Sequence, residues 1–122
     1  MKMSHEEDIK IIESFLGKEC ERSLACNSLK IRFGEKHPYI WIEPPWAFHS
    51  NEGTITTSYD YPENDDDFYE WSKKFNPINK VIFSSFSYEA EGDFKINFDN
   101  GYSIIVPHEI EDDEYPHWYA SL

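Results

Sequence analysis

SLKIRFGEKHPYIWIEP, residues 28 to 44, and DFKINFDNGYSIIVP, residues 93 to 107, decide the fold. In the first stretch Leu29, Ile31 and Phe33 alternate with Lys30 and Arg32; in the second Phe94, Ile96 and Phe98 alternate with Lys95 and Asn97. Successive side chains of a strand point to opposite faces, so each run has one apolar and one polar face and reads as a half-buried antiparallel strand. The first run turns through residues 34 to 38 into 39 to 42. The second meets Asn100-Gly101, a strong two-residue hairpin signal, and continues through 102 to 106. With a two-residue difference allowed in the turn, Lys30 matches Lys95, Ile31 matches Ile96, Phe33 matches Phe98, Tyr39 matches Tyr102, Ile42 matches Ile105 and Pro44 matches Pro107. A further strand precedes each copy, at 19 to 25 and at 81 to 88. Two related three-stranded meanders result, about 18 to 44 and about 80 to 107; two copies at so long a period do not make a solenoid.

Outward from the meanders, two helices are expected. Ser4 followed by Glu7 is a capping-box pattern, and Ile9, Ile12, Phe15 and Leu16 recur at helical spacing until Gly17. Between about 65 and 75, Phe68, Trp71 and Phe75 share one face; Asp65, Asp66 and Asp67 fill the first turn and Lys73 and Lys74 the last, which complements the helix dipole. Residues 54 to 59 supply another strand and 118 to 121 a short last one. The expected class is α+β, mainly antiparallel sheet, in a single domain over 1 to 122.

Charge narrows the possible partners. The 122 residues carry 24 acidic and 11 basic side chains, a net charge of −13, and from His37 to Ser72 there is no Lys or Arg. Such a field repels nucleic acid and anionic lipid and favours cations, basic proteins or neutral ligands. At 17% aromatic, the chain is too rich in core-forming residues for a disordered acidic tail. The opening MKMSHEEDIKIIESFLG is too polar for a signal peptide, and no run approaches the roughly 18 apolar residues of a membrane span. The expected compartment is the cytoplasm. Cys20 and Cys26 lie six residues apart on one expected strand, too far for a disulfide at about 3.3 Å per residue, and are expected to be reduced.

Catalytic chemistry has little support. No nucleotide loop, zinc spacing or nucleophile elbow occurs, and the five glycines never cluster. His108 and His117 bracket Glu109, Glu111, Asp112, Asp113 and Glu114, but without a defined ligand spacing or a glycine for a calcium loop. Neither an enzyme nor a cofactor is expected. Trp41, Trp46, Trp71 and Trp118 read mainly as core or sheet-face residues, and Pro44-Pro45-Trp46 as a strand end at a sheet edge, with an exposed aromatic corner as its functional alternative. What stands out is carboxylate interleaved with tyrosine: Tyr59, Asp60, Tyr61, Glu63, Asp65, Asp66, Asp67, Tyr69 and Glu70. Tyrosine anchors protein interfaces, and carboxylates pair with Arg and Lys of a basic partner.

Leu16-Gly17, LKIRF, IWIEPPW, the positions Gly53, Ile55, Ser58, Tyr59 and Asp60, and the second meander together resemble small bacterial proteins of two-part β-sheet layout. Some of these look like immunity proteins of contact-dependent growth inhibition and related polymorphic toxin systems. The resemblance implies a binding protein; small size, strong acidity with interleaved tyrosine and the lack of a catalytic constellation make the leading expectation an immunity protein that neutralises a cognate toxin, a basic one such as a nuclease, by occluding its active site. Asp60, Tyr61, Glu63, Asp65, Asp66, Asp67, Tyr69 and Glu70 are the first candidate contacts, and Glu111, Asp112, Asp113 and Glu114 the second. Neither a nucleic-acid nor a membrane partner is expected, and the oligomeric state stays open. The alternative is a small β-domain that holds carbohydrate or another neutral ligand on exposed Trp and Tyr.

Overall fold

The computed structural model describes residues 6–88, 93–107 and 117–122. In chain order the elements are α1 (Glu6–Glu13), β1 (Glu19–Ala25), β2 (Ser28–Arg32), β3 (Tyr39–Ile42), β4 (Ala47–Ser50), β5 (Gly53–Thr57), a 3-10 turn (Ser58–Asp60) and α2 (Asp65–Ser72). A 3-10 segment (Lys73–Ile78), β6 (Asn79–Tyr88), β7 (Phe94–Phe98), β8 (Ser103–Val106) and β9 (Trp118–Ser121) complete them. The expected class holds: the protein is α+β and mostly antiparallel sheet, with a helix at the N-terminus. Ser4 lies outside the described residues.

Both meanders form, and the strands join in the order β5-β4-β8-β7-β6-β1-β2-β3-β9. The leading strands β1 and β6 pair antiparallel, Glu19 with Ile82 and Cys20 with Val81, which relates the two meanders by an approximate two-fold. Each meander then receives the strand that follows the other. β4 comes directly after β3 in sequence but pairs with β8, and β9 comes after β8 but pairs with β3. Laid flat, β3 and β4 would be about 29 Å apart, at roughly 4.8 Å per strand. Residues 43 to 46 can bridge no more than about 18 Å. The sheet must therefore fold over on itself, and it does so along β6, whose first half pairs with β1 and second half with β7. Phe94 of β7 stacks on Trp118 of β9 with ring centroids 3.9 Å apart, closing the two halves face to face. Such a pair contributes about 0.5–1.5 kcal/mol beyond its burial.

The register corrects the sequence match between the meanders. Leu29 pairs with Ile42 and Phe94 with Val106, so Ile42 corresponds to Val106, not to Ile105, and Ile40 to Ile104. The turns differ by one residue, not two. A one-residue slip exchanges sheet faces, and burial follows the structural match: Ile40, Ile42, Ile104 and Val106 are buried while Trp41 and Ile105 are half-buried. The Asn100-Gly101 hairpin has a three-residue loop, because the Phe98 N–H donates to the Tyr102 carbonyl at 2.9 Å. Gly101 at φ +87° takes the left-handed position that closes such a loop.

Two strands and both helix ends differ from expectation. β4 has no counterpart among the expected strands, and the strand expected at 54 to 59 is Gly53–Thr57, ending in the 3-10 turn. The helix expected to reach residue 75 ends at Ser72 and tightens into a 3-10 segment that contains Pro77, whose ring cannot continue an α-helix. Lys73 and Lys74 thus fall beyond its last turn. Leu16, expected on the apolar face of α1, is exposed, because i to i−3 bonds at residues 14 to 16 unwind the helix end. Ile12 and Phe15 do enter the core, Phe15 stacking on Phe33 at 4.3 Å. The edge of β9 is covered by α1: the Ala120 N–H donates to the Asp8 carboxylate at 3.1 Å, which removes an open edge donor. The cysteines are both free, Cys20 buried and Cys26 exposed in the β1–β2 turn.

Candidate functional site

The tyrosine–carboxylate stretch occupies one end of the fold, on the 3-10 turn, the loop after it and α2. Its base is a chain of hydrogen bonds running out of the core. The buried Trp71 Nε1–H donates to Thr56 Oγ1 at 2.9 Å, the Thr56 hydroxyl donates to Asp60 Oδ2 at 2.9 Å, and the Thr57 N–H donates to the same oxygen at 3.0 Å. Asp60 with Thr57 forms a capping box, and the Thr57 N–H, then the Thr56 hydroxyl, hold the Asp60 carboxyl below its ordinary value. Asp60 is therefore a structural anchor of this surface.

Asn64 caps α2, accepting from the Asp67 N–H at 2.8 Å and donating through Nδ2 to the Asp67 carboxylate at 2.8 Å. The far end of the helix is held by a residue distant in sequence: Arg22 of β1 donates to the Ser72 carbonyl at 3.1 Å and to Asn76 Oδ1 at 3.0 Å. A cation at a helix C-terminus is favourable, and here Arg22 fills the role expected of Lys73 and Lys74. Burial lowers the Arg22 pKa. The inner face of α2 and the segment after it is aromatic: Trp71 stacks on Trp46 at 6.0 Å and meets Phe75 edge-on at 5.3 Å, and Phe75 stacks on Phe48 at 5.1 Å. Trp46 is buried and its Nε1–H donates to the Asn27 carbonyl at 2.8 Å. The tryptophan of the Pro44-Pro45-Trp46 corner is thus core and not an exposed aromatic.

Helical spacing distributes the carboxylates. Asp66 and Glu70, four apart, share the outward crest of α2, Asp65 and Tyr69 share one flank, and Asp67 lies on the other. Tyr59 is 86% and Tyr69 65% exposed. Glu70 pairs with Lys73 at 3.1 Å, and the Lys73 ammonium lies 4.9 Å from the centre of the Tyr69 ring. Glu63, Asp65 and Asp66 hold no ion pair with any described residue. Tyr61 is 38% exposed and packs edge-on against Phe68 at 5.9 Å and Trp71 at 5.7 Å. Burial, then its contact with the Cys26 thiol, raises the Tyr61 pKa.

Between this segment and β1 runs a groove of about 490 Å³, lined by Leu24, Cys26, Tyr61, Pro62, Phe68 and, at its polar rim, Glu63, Asn64 and Asp65. Asn27 ties its two walls together, donating through Nδ2 to the Ser58 carbonyl at 2.9 Å while its backbone carbonyl accepts from Trp46. Leu24, Cys26, Pro62 and Phe68 were not sequence candidates for a site. Leu24 is 37 residues from Tyr61, and no local pattern announces that pairing.

A second surface lies on the outer face of the sheet. Trp41 stacks on Tyr119 at 6.4 Å, Tyr119 meets Tyr39 edge-on at 6.2 Å, and Lys30 lies over Tyr39 at 4.4 Å. Glu111, Asp112, Asp113 and Glu114, together with His108, lie outside the described residues. Among the described residues no three His, Cys, Asp or Glu side chains gather as a metal set, and no helix is long and apolar enough to cross a membrane.

Comparison with models of known families, with curated proteins and with solved structures finds no match to this chain. Fold and surface together define an α+β domain of folded antiparallel sheet with an acidic, tyrosine-bearing end.

Proposed function

We propose that this protein binds and neutralises a basic protein, and that it is an immunity protein for a cognate toxin, a nuclease in the simplest case, of a contact-dependent growth inhibition or related polymorphic toxin system. The observation that carries the reading is the exposed face from 59 to 70, where Tyr59 and Tyr69 stand beside Glu63, Asp65 and Asp66, none of these carboxylates paired with a described base. On this reading the carboxylates take the place of nucleic-acid phosphates on the toxin's Arg and Lys, and the bound protein blocks substrate entry. Close charge pairs across such interfaces couple by about 1.5–7 kcal/mol, and the −13 field accelerates encounter. The test is co-expression with the polypeptide encoded by the adjoining reading frame, followed by purification of a complex. A toxic neighbour that is neither rescued nor bound sinks the proposal.

A second reading has its own observation. Tyr39, Trp41 and Tyr119 form an aromatic row on the outer sheet face, of the kind that stacks on a sugar ring. Salt separates the two: carboxylate-driven binding weakens as ionic strength rises, whereas stacking on a neutral sugar hardly responds.

A further inference from the structure

The groove between β1 and the 61–68 segment has a composition that selects one kind of occupant. Its walls are apolar or aromatic, from Leu24, Pro62, Tyr61 and Phe68, and its rim carries the carboxylates of Glu63 and Asp65. Its volume of about 490 Å³ falls in the range of small-ligand sites, about 300–1,000 Å³. Ionised carboxylates only accept hydrogen bonds, so the occupant must bring donors. Aromatic rings favour a flat cation with an apolar stem over a compact, strongly hydrated one. Arg22, on the same strand as Leu24, is already committed to the Ser72 carbonyl and Asn76, and no described Lys or Arg pairs with Glu63 or Asp65. The geometry points to this groove as the seat of one arginine side chain of the basic partner, with its guanidinium stacked on Tyr61 or Phe68 and donating to Glu63 and Asp65. This rests on the basic-partner reading above and deepens it, by replacing a diffuse acidic face with one anchor pocket.

The groove is built before anything binds. Asn27 clamps the β1–β2 turn to the carbonyl of Ser58, Tyr61 rests edge-on against Phe68 and Trp71, and Asn64 fixes the start of α2. A preformed pocket avoids much of the ordering cost of binding. Central, desolvated arginine contacts of this type are where interface energy concentrates.

The probe is hexa-arginine amide, with hexa-lysine amide as the equal-charge control, titrated into the whole protein and followed by NMR at the Leu24 methyls and the Tyr61 and Phe68 rings. The arginine peptide is expected to shift these signals saturably and to bind about tenfold more tightly than the lysine peptide. The double variant E63Q/D65N is expected to reduce the arginine peptide to the level of the lysine one. Both residues are exposed and hold no described ion pair, and unchanged sheet and α2 amide resonances verify that the variant folds as the parent does. If the two peptides bind alike and move only signals on the Asp66–Glu70 crest, the groove is not the anchor, although the basic-partner reading survives. If neither peptide binds at low salt, that reading fails and the anchor fails with it.

Discussion

Replacing Thr56 with valine tests whether the acidic end is tied to the core as the hydrogen bonds indicate. Thr56 is buried, and its hydroxyl both accepts from the Trp71 indole and donates to Asp60. Valine matches threonine in shape but has no hydroxyl, so no cavity opens while the indole N–H is stranded in the core. A buried donor without a partner costs about 1–3 kcal/mol. The T56V variant is therefore expected to lose about 2 kcal/mol of stability. For a chain of this length that corresponds to a fall of about 8 °C in Tm. Urea unfolding followed by tryptophan fluorescence measures the loss, and hydrogen exchange at the Thr57 and Tyr59 amides reports whether the 3-10 turn loosens with it. The decisive comparison is a double-mutant cycle with Trp71→Phe, which removes the donor. If the bond matters, T56V costs less by at least about 1 kcal/mol in the W71F background. Equal costs in both backgrounds, or a loss below about 0.5 kcal/mol, would refute the argument.

The Thr57 N–H and Thr56 hydroxyl depress the Asp60 pKa, so its contribution is present above the ordinary carboxylate value near 4 and is lost as pH falls through the lowered folded value; D60N is expected to flatten the acid limb of the stability curve, and an unchanged limb would count against it. Burial pushes the Cys20 thiol up to about 12, while Cys26 is exposed. A thiol reagent at mildly alkaline pH is therefore expected to modify one cysteine in the native protein and two in denaturant, with mass mapping to Cys26 first; early labelling of Cys20 would contradict this. Gly101 sits at φ +87° with the Asn51 side chain where a Cβ would fall, and G101A is expected to cost more than about 1 kcal/mol in thermal unfolding, whereas a neutral substitution would show that the hairpin loop relaxes freely.

Much of the fold was legible because it is local. The alternation in 28 to 33 and 93 to 98 exposes β2 and β7 directly, since a half-buried strand writes its two faces into the sequence at period two. The three aspartates of the first turn likewise announce α2. β4 escaped because Ala47–Ser50 is four residues long and follows two prolines, which read as an ending. The one-residue offset between the meanders escaped because chemical likeness, Tyr39 with Tyr102 and Ile42 with Ile105, does not report which face of a sheet a residue occupies. Half of the candidate surface had the same character. The carboxylates of 60 to 70 stand in one run and were visible at once. The other wall of their groove comes from Leu24 and Cys26, and nothing near those residues indicates it.

The sequence alone determined the two meanders, the acidic field and the tyrosines within it, because strand alternation, turn chemistry and charge all act between near neighbours. The tertiary structure decided the rest. The connection from β3 to β4 is too short for a flat sheet, so the sheet folds along β6, the trailing strands exchange between meanders, and Trp46 takes its core reading over the alternative of an exposed corner. It also sorted the carboxylates: Asp60 accepts from Thr56 and Thr57, Asp67 from Asn64 and Glu70 from Lys73, while Glu63 and Asp65 line the groove. Those roles depend on partners brought near by packing, and burial and hydrogen bonding act on distance in space, which the order of residues does not contain.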